Sequence, residues 1–291
     1  MQGKHVSRRY LRRKRRRQRL LCISGVAIIA GLLLSVPVRK VLKPQVNYPI
    51  VESTTAVYPE RHNSEAVAAQ AEELTVTAAP VVYTFDYRYT PGALLTMSTV
   101  RAWHDEVISY KDDPNLTPET LKNIEIWDTV FTNIEHDVVY TNAAGETLPI
   151  MLAKIVTQEI GGLMDAISYS TAQMEQSGVV WCILNRADDQ GGTAPDVVKV
   201  AKSPHQFAYC ATVVPFKGIE ALCTDVLIRW QLEKGYIQQG KTAEEAAALA
   251  GRTLASNYTF FGGDSKHNHF RTEISLNSTR WDWHYTDPYK G

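Results

Sequence analysis

The residue best placed to do chemistry is Glu159. It stands seven, four and three positions after Leu152, Ile155 and Val156, so on a helix it points the way their apolar face points. A carboxyl group held there loses hydration. That penalises the ionised form and predicts a raised pKa. A carboxylic acid that keeps its proton near neutral pH is what a general acid requires. Gly161-Gly162 follow directly and predict a helix end, where a cleft can open. The plainer alternative is a helix-end glutamate that forms an ion pair or bends out to water.

The elements around Glu159 must hold it. Pro149–Ile160 carries the residue itself. A long apolar helix is expected over 166–187, ending in Leu184-Asn185-Arg186. Shorter helices are expected over 195–201 and 220–234. Thr242-Ala243-Glu244-Glu245 is a capping box and predicts a helix to about Ala255. The pattern then changes. Tyr258–Phe261 and His267–Ile274 are aromatic or β-prone and flank Gly262-Gly263-Asp264, which predicts a small hairpin or loop pair. Residues 148–291 thus read as one compact domain, mainly α with a small β element (α+β). Residues 81–147 form a helical stem or N-terminal lobe, with helices over 93–112 and 118–139. Thr117 caps the second helix and Pro118 takes its first position. Leu121, Ile124, Trp127, Phe131 and Ile134 mark its buried face.

Four segments together resemble the SleB-type cell wall hydrolase family over about residues 148–285. They are Leu152–Glu159, Gly178–Arg186, Ser203-Pro204-His205-Gln206-Phe207 and His269-Phe270. The family pattern around its acid is Gly-Glu-Ala-Arg-Gly-Glu, whereas this chain has Gln158-Glu159-Ile160-Gly161-Gly162. Only the first glutamate matches, which leaves the cleft wall and substrate choice open. Glu175 is similar to a common family acid.

The resemblance implies a lysozyme-like fold and a lytic enzyme acting on peptidoglycan glycan strands, with no cofactor. Glu159 would protonate the glycosidic oxygen between N-acetylmuramic acid and N-acetylglucosamine. The sugar's own C6 hydroxyl would then close on the oxocarbenium-like carbon, with Glu159 as base. A hydrolytic enzyme needs a second carboxylate. Asp165, Glu175, Asp188 and Asp264 are candidates, and spacing selects none of them. Gln206 and Phe207 are candidates to contact sugar, or else to pack a loop. His269 orients the acid or is structural. Tyr258, Phe260 and Phe261 line a groove or fill the core, and Trp281, Trp283 and Tyr285 carry the same two readings.

Two other functions remain open. His205, His267, His269, Asp264 and Glu159 could form a zinc site for cutting peptide stems, although no HExxH is present. A non-catalytic wall-binding part of a secretion or conjugation apparatus is the other. It would place the chain in an envelope-spanning assembly.

The N-terminus predicts where any such chemistry happens. Residues 1–19 hold ten Lys/Arg and no acid, and Leu20–Val38 runs for 19 residues without charge. That length nearly matches a hydrocarbon core of about 30 Å. The basic flank predicts a cytoplasmic N-terminus. Ser35-Val36-Pro37-Val38-Arg39 is a poor cleavage site, which favours an anchor in the cell membrane over a removed signal peptide. Residues 39–80 read as a stalk, with a short helix over 66–73. Beyond residue 43 the chain has 18 basic and 31 acidic residues, a net charge of −13, which disfavours nucleic acid as a partner. Cys22 falls in the span and Cys182 in an apolar run, where a buried thiol is expected. Cys210 and Cys223 are the pair close enough in sequence to form a disulfide outside the cytoplasm.

Overall fold

The computed structural model describes residues 81–160, 169–263, 267–274 and 286–291. The anchor, the stalk, Asp165, Asp264, Trp281, Trp283 and Tyr285 lie outside the described residues. Among the described residues no helix is long and apolar enough to cross a membrane.

Among the described residues seven helices precede one hairpin. They are α1 (Met97–Ser109), α2 (Pro118–Val139), α3 (Leu148–Ile160), α4 (Tyr169–Asp188), α5 (Ala194–Ala201), α6 (Ile219–Gln238) and α7 (Ala243–Ala250). The strands β1 (Phe260–Gly263) and β2 (Asn268–Arg271) pair antiparallel, with Phe261 opposite Phe270 and Gly262 opposite His269. The mainly α fold with a small β element is therefore what the described residues adopt.

Local chemistry sets the helix ends. Thr117 Oγ1 accepts from the Thr120 amide at 3.1 Å, with Pro118 in the first turn. Thr242 and Glu245 close their capping box at the start of α7. That helix stops at Gly251, short of Ala255, because Gly251 takes a left-handed φ of 69°. A side chain there would collide with Arg229 and the Tyr89 ring.

Two cores meet on α6. One joins α3, α4, α5 and one side of α6, through residues such as Leu152, Val156, Trp181, Val197, Cys223 and Trp230. The other joins α1 and α2 to Ile228, Leu232 and Tyr236 of α6 and to Ala246 and Ala250 of α7. Residues 81–147 thus share a core with α6 and α7. Their core is completed by residues a hundred positions later. Ile124, Trp127, Phe131 and Ile134 are buried as expected, but Leu121 is 39% exposed, while its neighbour Thr120 is the buried residue of the first turn of α2.

A helix buried on two sides has nowhere to put its polar residues except in the core. Asp225 and Arg229 of α6 are both fully buried. Arg229 Nε donates to Asp225 Oδ2 at 2.8 Å, one turn apart. Asp225 also accepts from the Leu95 amide at 2.7 Å and the Tyr289 hydroxyl at 3.1 Å. The Arg229 guanidinium lies over the Tyr89 and Tyr289 rings, 4.7 and 5.4 Å from their centroids. One ion pair thereby ties the N-terminal segment and the C-terminal residues to the central helix.

Removing one partner of such a pair strands the other charge in the core, at a cost of about 3–5 kcal/mol. Asp225→Ala should therefore lower the urea midpoint by a corresponding amount with the slope unchanged. A loss below about 1 kcal/mol, the range of an exposed pair, would show that the pair does not join these segments.

Candidate active site around Glu159

Helix α3 carries Glu159 one residue before Ile160, and the predicted stop at Gly161-Gly162 lies outside the described residues. Leu152, Ile155 and Val156 are fully buried, while Glu159 itself is only half-buried. It lies at the margin of the core rather than inside it. Glu159 Oε1 accepts from the Ala208 amide at 2.6 Å. That bond fixes one oxygen of the carboxyl group and seats the loop 202–216 beside it.

The loop carries the predicted Gln206 and Phe207. It is strained at His205, whose φ is 62°, the left-handed region that a side chain disfavours. Gln206 Oε1 accepts from Arg186 Nη1 at 2.8 Å. The same guanidinium lies 5.5 Å from the centroids of both Phe207 and Phe260. Phe207 in turn meets Phe261 at 5.9 Å, and Phe261 meets Phe270 at 5.8 Å. Glu159, the last turn of α4 at Arg186, the Gln206-Phe207 loop and the hairpin are thereby joined contact by contact.

The Leu184-Asn185-Arg186 triplet divides its work by direction. Leu184 is buried. Asn185 faces the chain leading into the hairpin, and its Nδ2 donates to the Ala255 and Tyr258 carbonyls at 3.0 and 2.8 Å. Asn185 Oδ1 is held by Arg252, which also donates to Glu233 Oε2 at 2.8 Å and lies 4.1 Å from the Trp181 centroid. Arg186 faces the loop. Gly178 is needed on the same helix, because a Cβ there would sit 2.5 Å from the Phe270 ring.

The remaining candidates take different places. Tyr258 is half-buried against the main core and offers its carbonyl to Asn185. Glu175 is 1% exposed. Its Oε1 is 2.6 Å from His267 Nδ1 and its Oε2 accepts from the Asn268 amide at 3.1 Å, so it supports the hairpin from beneath. His269 is half-buried on β2 opposite Gly262, and alternates with the buried Asn268 and Phe270. Asp188, the last residue of α4, accepts from Trp230 Nε1 at 3.0 Å and pairs with Lys234.

Cys182 is buried as expected, and burial pushes its thiol up from the ordinary value. Cys210 and Cys223 are not joined as a disulfide. Cys223 faces the main core from α6, whereas Cys210 lies on the loop with its sulfur 3.3 Å from Thr212 Oγ1. Among the described residues no three His, Cys, Asp or Glu side chains are grouped to hold a metal. Asp264 of the suggested zinc set lies outside them.

One carboxylate at the site has no signal in the sequence. Glu146 ends the turn Asn142–Glu146, and its Oε2 accepts from the Tyr209 hydroxyl at 2.5 Å. Lys154 Nζ donates to Glu146 Oε1 at 2.6 Å and to the Ala211 carbonyl at 2.5 Å. Asn142 Nδ2 adds a bond of 3.0 Å. Glu146 and Tyr209 are 63 positions apart, so no local spacing relates them. Comparison with models of protein families, with curated proteins and with solved structures finds no match.

Partial burial pushes the Glu146 carboxyl up, but the bonds from Lys154, Tyr209 and Asn142 outweigh it and bring it to about 2, below its ordinary 4.5. A depressed folded-state value contributes stability that is complete above the unfolded value and lost as pH falls. Glu146→Gln should therefore melt below the wild type near neutral pH. The gap between them should close as pH falls from about 4.5 towards about 2. A gap that stays constant across that range would rule out this account of the group.

Proposed function

We propose that the chain is a membrane-anchored peptidoglycan-cleaving enzyme of lysozyme-like architecture, a lytic transglycosylase with Glu159 as its acid and then its base. The observation that carries this reading is the contact set around Glu159. A half-buried carboxyl group at the end of a core helix accepts the Ala208 amide at 2.6 Å, beside a loop whose Phe207 and Gln206 meet Arg186. The four segments that carry the family resemblance converge on that one region. Amide, guanidinium and aromatic groups next to a carboxyl suit a sugar chain, which offers hydroxyl edges and apolar ring faces.

The chemistry needs one carboxyl group. Glu159 gives its proton to the glycosidic oxygen as the bond from C1 of N-acetylmuramic acid breaks. Positive charge then spreads over C1 and the ring oxygen. The C6 hydroxyl of the same sugar attacks C1 and returns its proton to Glu159. The product is a 1,6-anhydro end, and no water is consumed. The second acids proposed for a hydrolytic route, where described, are engaged elsewhere: Glu175 by β2 and Asp188 by Trp230 and Lys234. Glu146 is held by Lys154 and Tyr209. Among the described residues these bonds favour a route in which Glu159 acts in both steps.

The anchor predicted over residues 20–38 gives this reading a place. An enzyme tethered through a stalk of about forty residues reaches only the wall near its own membrane patch. That suits local opening of the wall, for instance around an envelope-spanning assembly.

The purified full chain should release anhydro-muropeptides from isolated sacculi, with products identified by mass. Glu159→Gln should slow release by about 10²–10⁴-fold, the usual worth of a positioned acid–base group. Reducing-end products would replace the transglycosylase by a hydrolase. Cleaved peptide stems, lost on chelation, would replace it by a zinc peptidase. Intact sacculi would leave a wall-binding component without catalysis and overturn the proposal.

A further inference from the structure

The 202–216 loop is fastened to two carboxylates rather than one. Its Ala208 amide is on Glu159 and, one residue on, its Tyr209 hydroxyl is on Glu146. Lys154 adds a bond to the Ala211 carbonyl, and the Thr157 hydroxyl accepts from the Phe216 amide at 3.2 Å. Three of these four anchoring side chains come from α3 and the fourth from the turn that precedes it. We propose that Glu146, acting through the Tyr209 hydroxyl, is the positioning residue that keeps this loop seated on Glu159 through the reaction. This rests on Glu159 being the acid of the site.

The argument turns on what each bond does when a proton moves. The Ala208 amide binds a carboxylate well. It binds a neutral carboxylic acid less well, because a charge-assisted hydrogen bond is about twice as strong as a neutral one. An acid that alternates between the two forms therefore holds its loop firmly in one and loosely in the other. Glu146 does not alternate. Lys154, Asn142 and Tyr209 surround it with donors, and it stays ionised throughout the neutral range.

Its partner is equally steady. Burial and the Glu146 bond push the Tyr209 hydroxyl up to about 12, so it remains a donor. Lys202 lies 5.0 Å from the Tyr209 centroid and closes the outer side of the ring. The loop is thus held at a point that does not react, one residue from the point that does. Gln206 and Phe207 stay in place while Glu159 gives up its proton and takes it back.

Tyr209→Phe removes one oxygen and keeps the ring, so it tests the latch without emptying a cavity. Amide hydrogen exchange over 204–212 in the full chain should rise about tenfold, in line with the loss of one hydrogen bond to a charged group. Exchange over α3 should not change, and the melting temperature should stay within about 2 °C of the wild type. On sacculi, kcat should fall by a larger factor than KM rises, because the acid loses its aim while the rest of the groove remains. Glu146→Gln, which keeps an acceptor for Tyr209 but loses the charge, should raise exchange over 204–212 by less than Tyr209→Phe does. Unchanged exchange over 204–212 would overturn the latch even if sacculi are cleaved. Raised exchange in a chain that cleaves nothing would keep the latch and remove the catalytic reading beneath it.

Discussion

Burying a full charge pair inside α6 is the constraint on which the remaining architecture rests. Arg229 and Asp225 have no access to water, and a charge so placed needs every available partner. The partners come from far away in sequence: the Leu95 amide, the Tyr289 hydroxyl and the carbonyls of Ala250 and Gly251. Each bond fixes a separate stretch of chain against α6. Gly251 has no side chain because Arg229 and Tyr89 occupy that space. Tyr289 also packs on Met174, Leu222 and Leu94, next to the residue whose carboxylate supports the hairpin. The ends of the described chain and the base of the site are thus parts of one buried network.

A second buried arginine carries the constraint towards the site. Arg252 bridges Glu233 of α6 and Asn185 of α4 while lying on Trp181. Asn185, once fixed, holds the carbonyls that lead into β1. Glu175 does the same from the other side through β2. A hairpin of two four-residue strands is marginal in isolation. Here it is held at both flanks by buried side chains of α4, and Phe270 fills the space left at Gly178. The rings of Phe260 and Phe261 are then presented to Arg186 and Phe207 as one surface.

Around Glu159 the structure gives two carboxylates different surroundings. Glu146 is surrounded by fixed donors, and its bonds all serve to place neighbouring chain. Glu159 has one oxygen on a backbone amide and stands at the margin of the core. Two carboxylates that touch one loop therefore have different surroundings, and their surroundings suit different tasks. Contrasting environments are the usual means by which like groups take unlike roles.

Periodicity and caps made the helices legible in the sequence. The Thr117-Pro118 start, the Thr242–Glu245 box and the apolar stripe through Ile124, Trp127 and Phe131 act within a few residues, and each appears where it was expected. Glu159 was legible for the same reason, since its spacing from Leu152, Ile155 and Val156 is a property of one helix. Its half-buried setting was not, because that depends on which loop covers the helix end. Leu121 reads as buried by spacing and is exposed by packing. Cys210 and Cys223 are close in sequence but face different surroundings. The Glu146–Tyr209 contact spans 63 positions and the Asp225–Leu95 contact spans 130, so neither leaves a local pattern. Short-range geometry, written in a few neighbouring residues, determined the elements and the place of Glu159 on its helix. What each carboxylate touches, Ala208 for Glu159 and Tyr209 for Glu146, was decided by contacts between distant segments, and those exist only once the chain is folded.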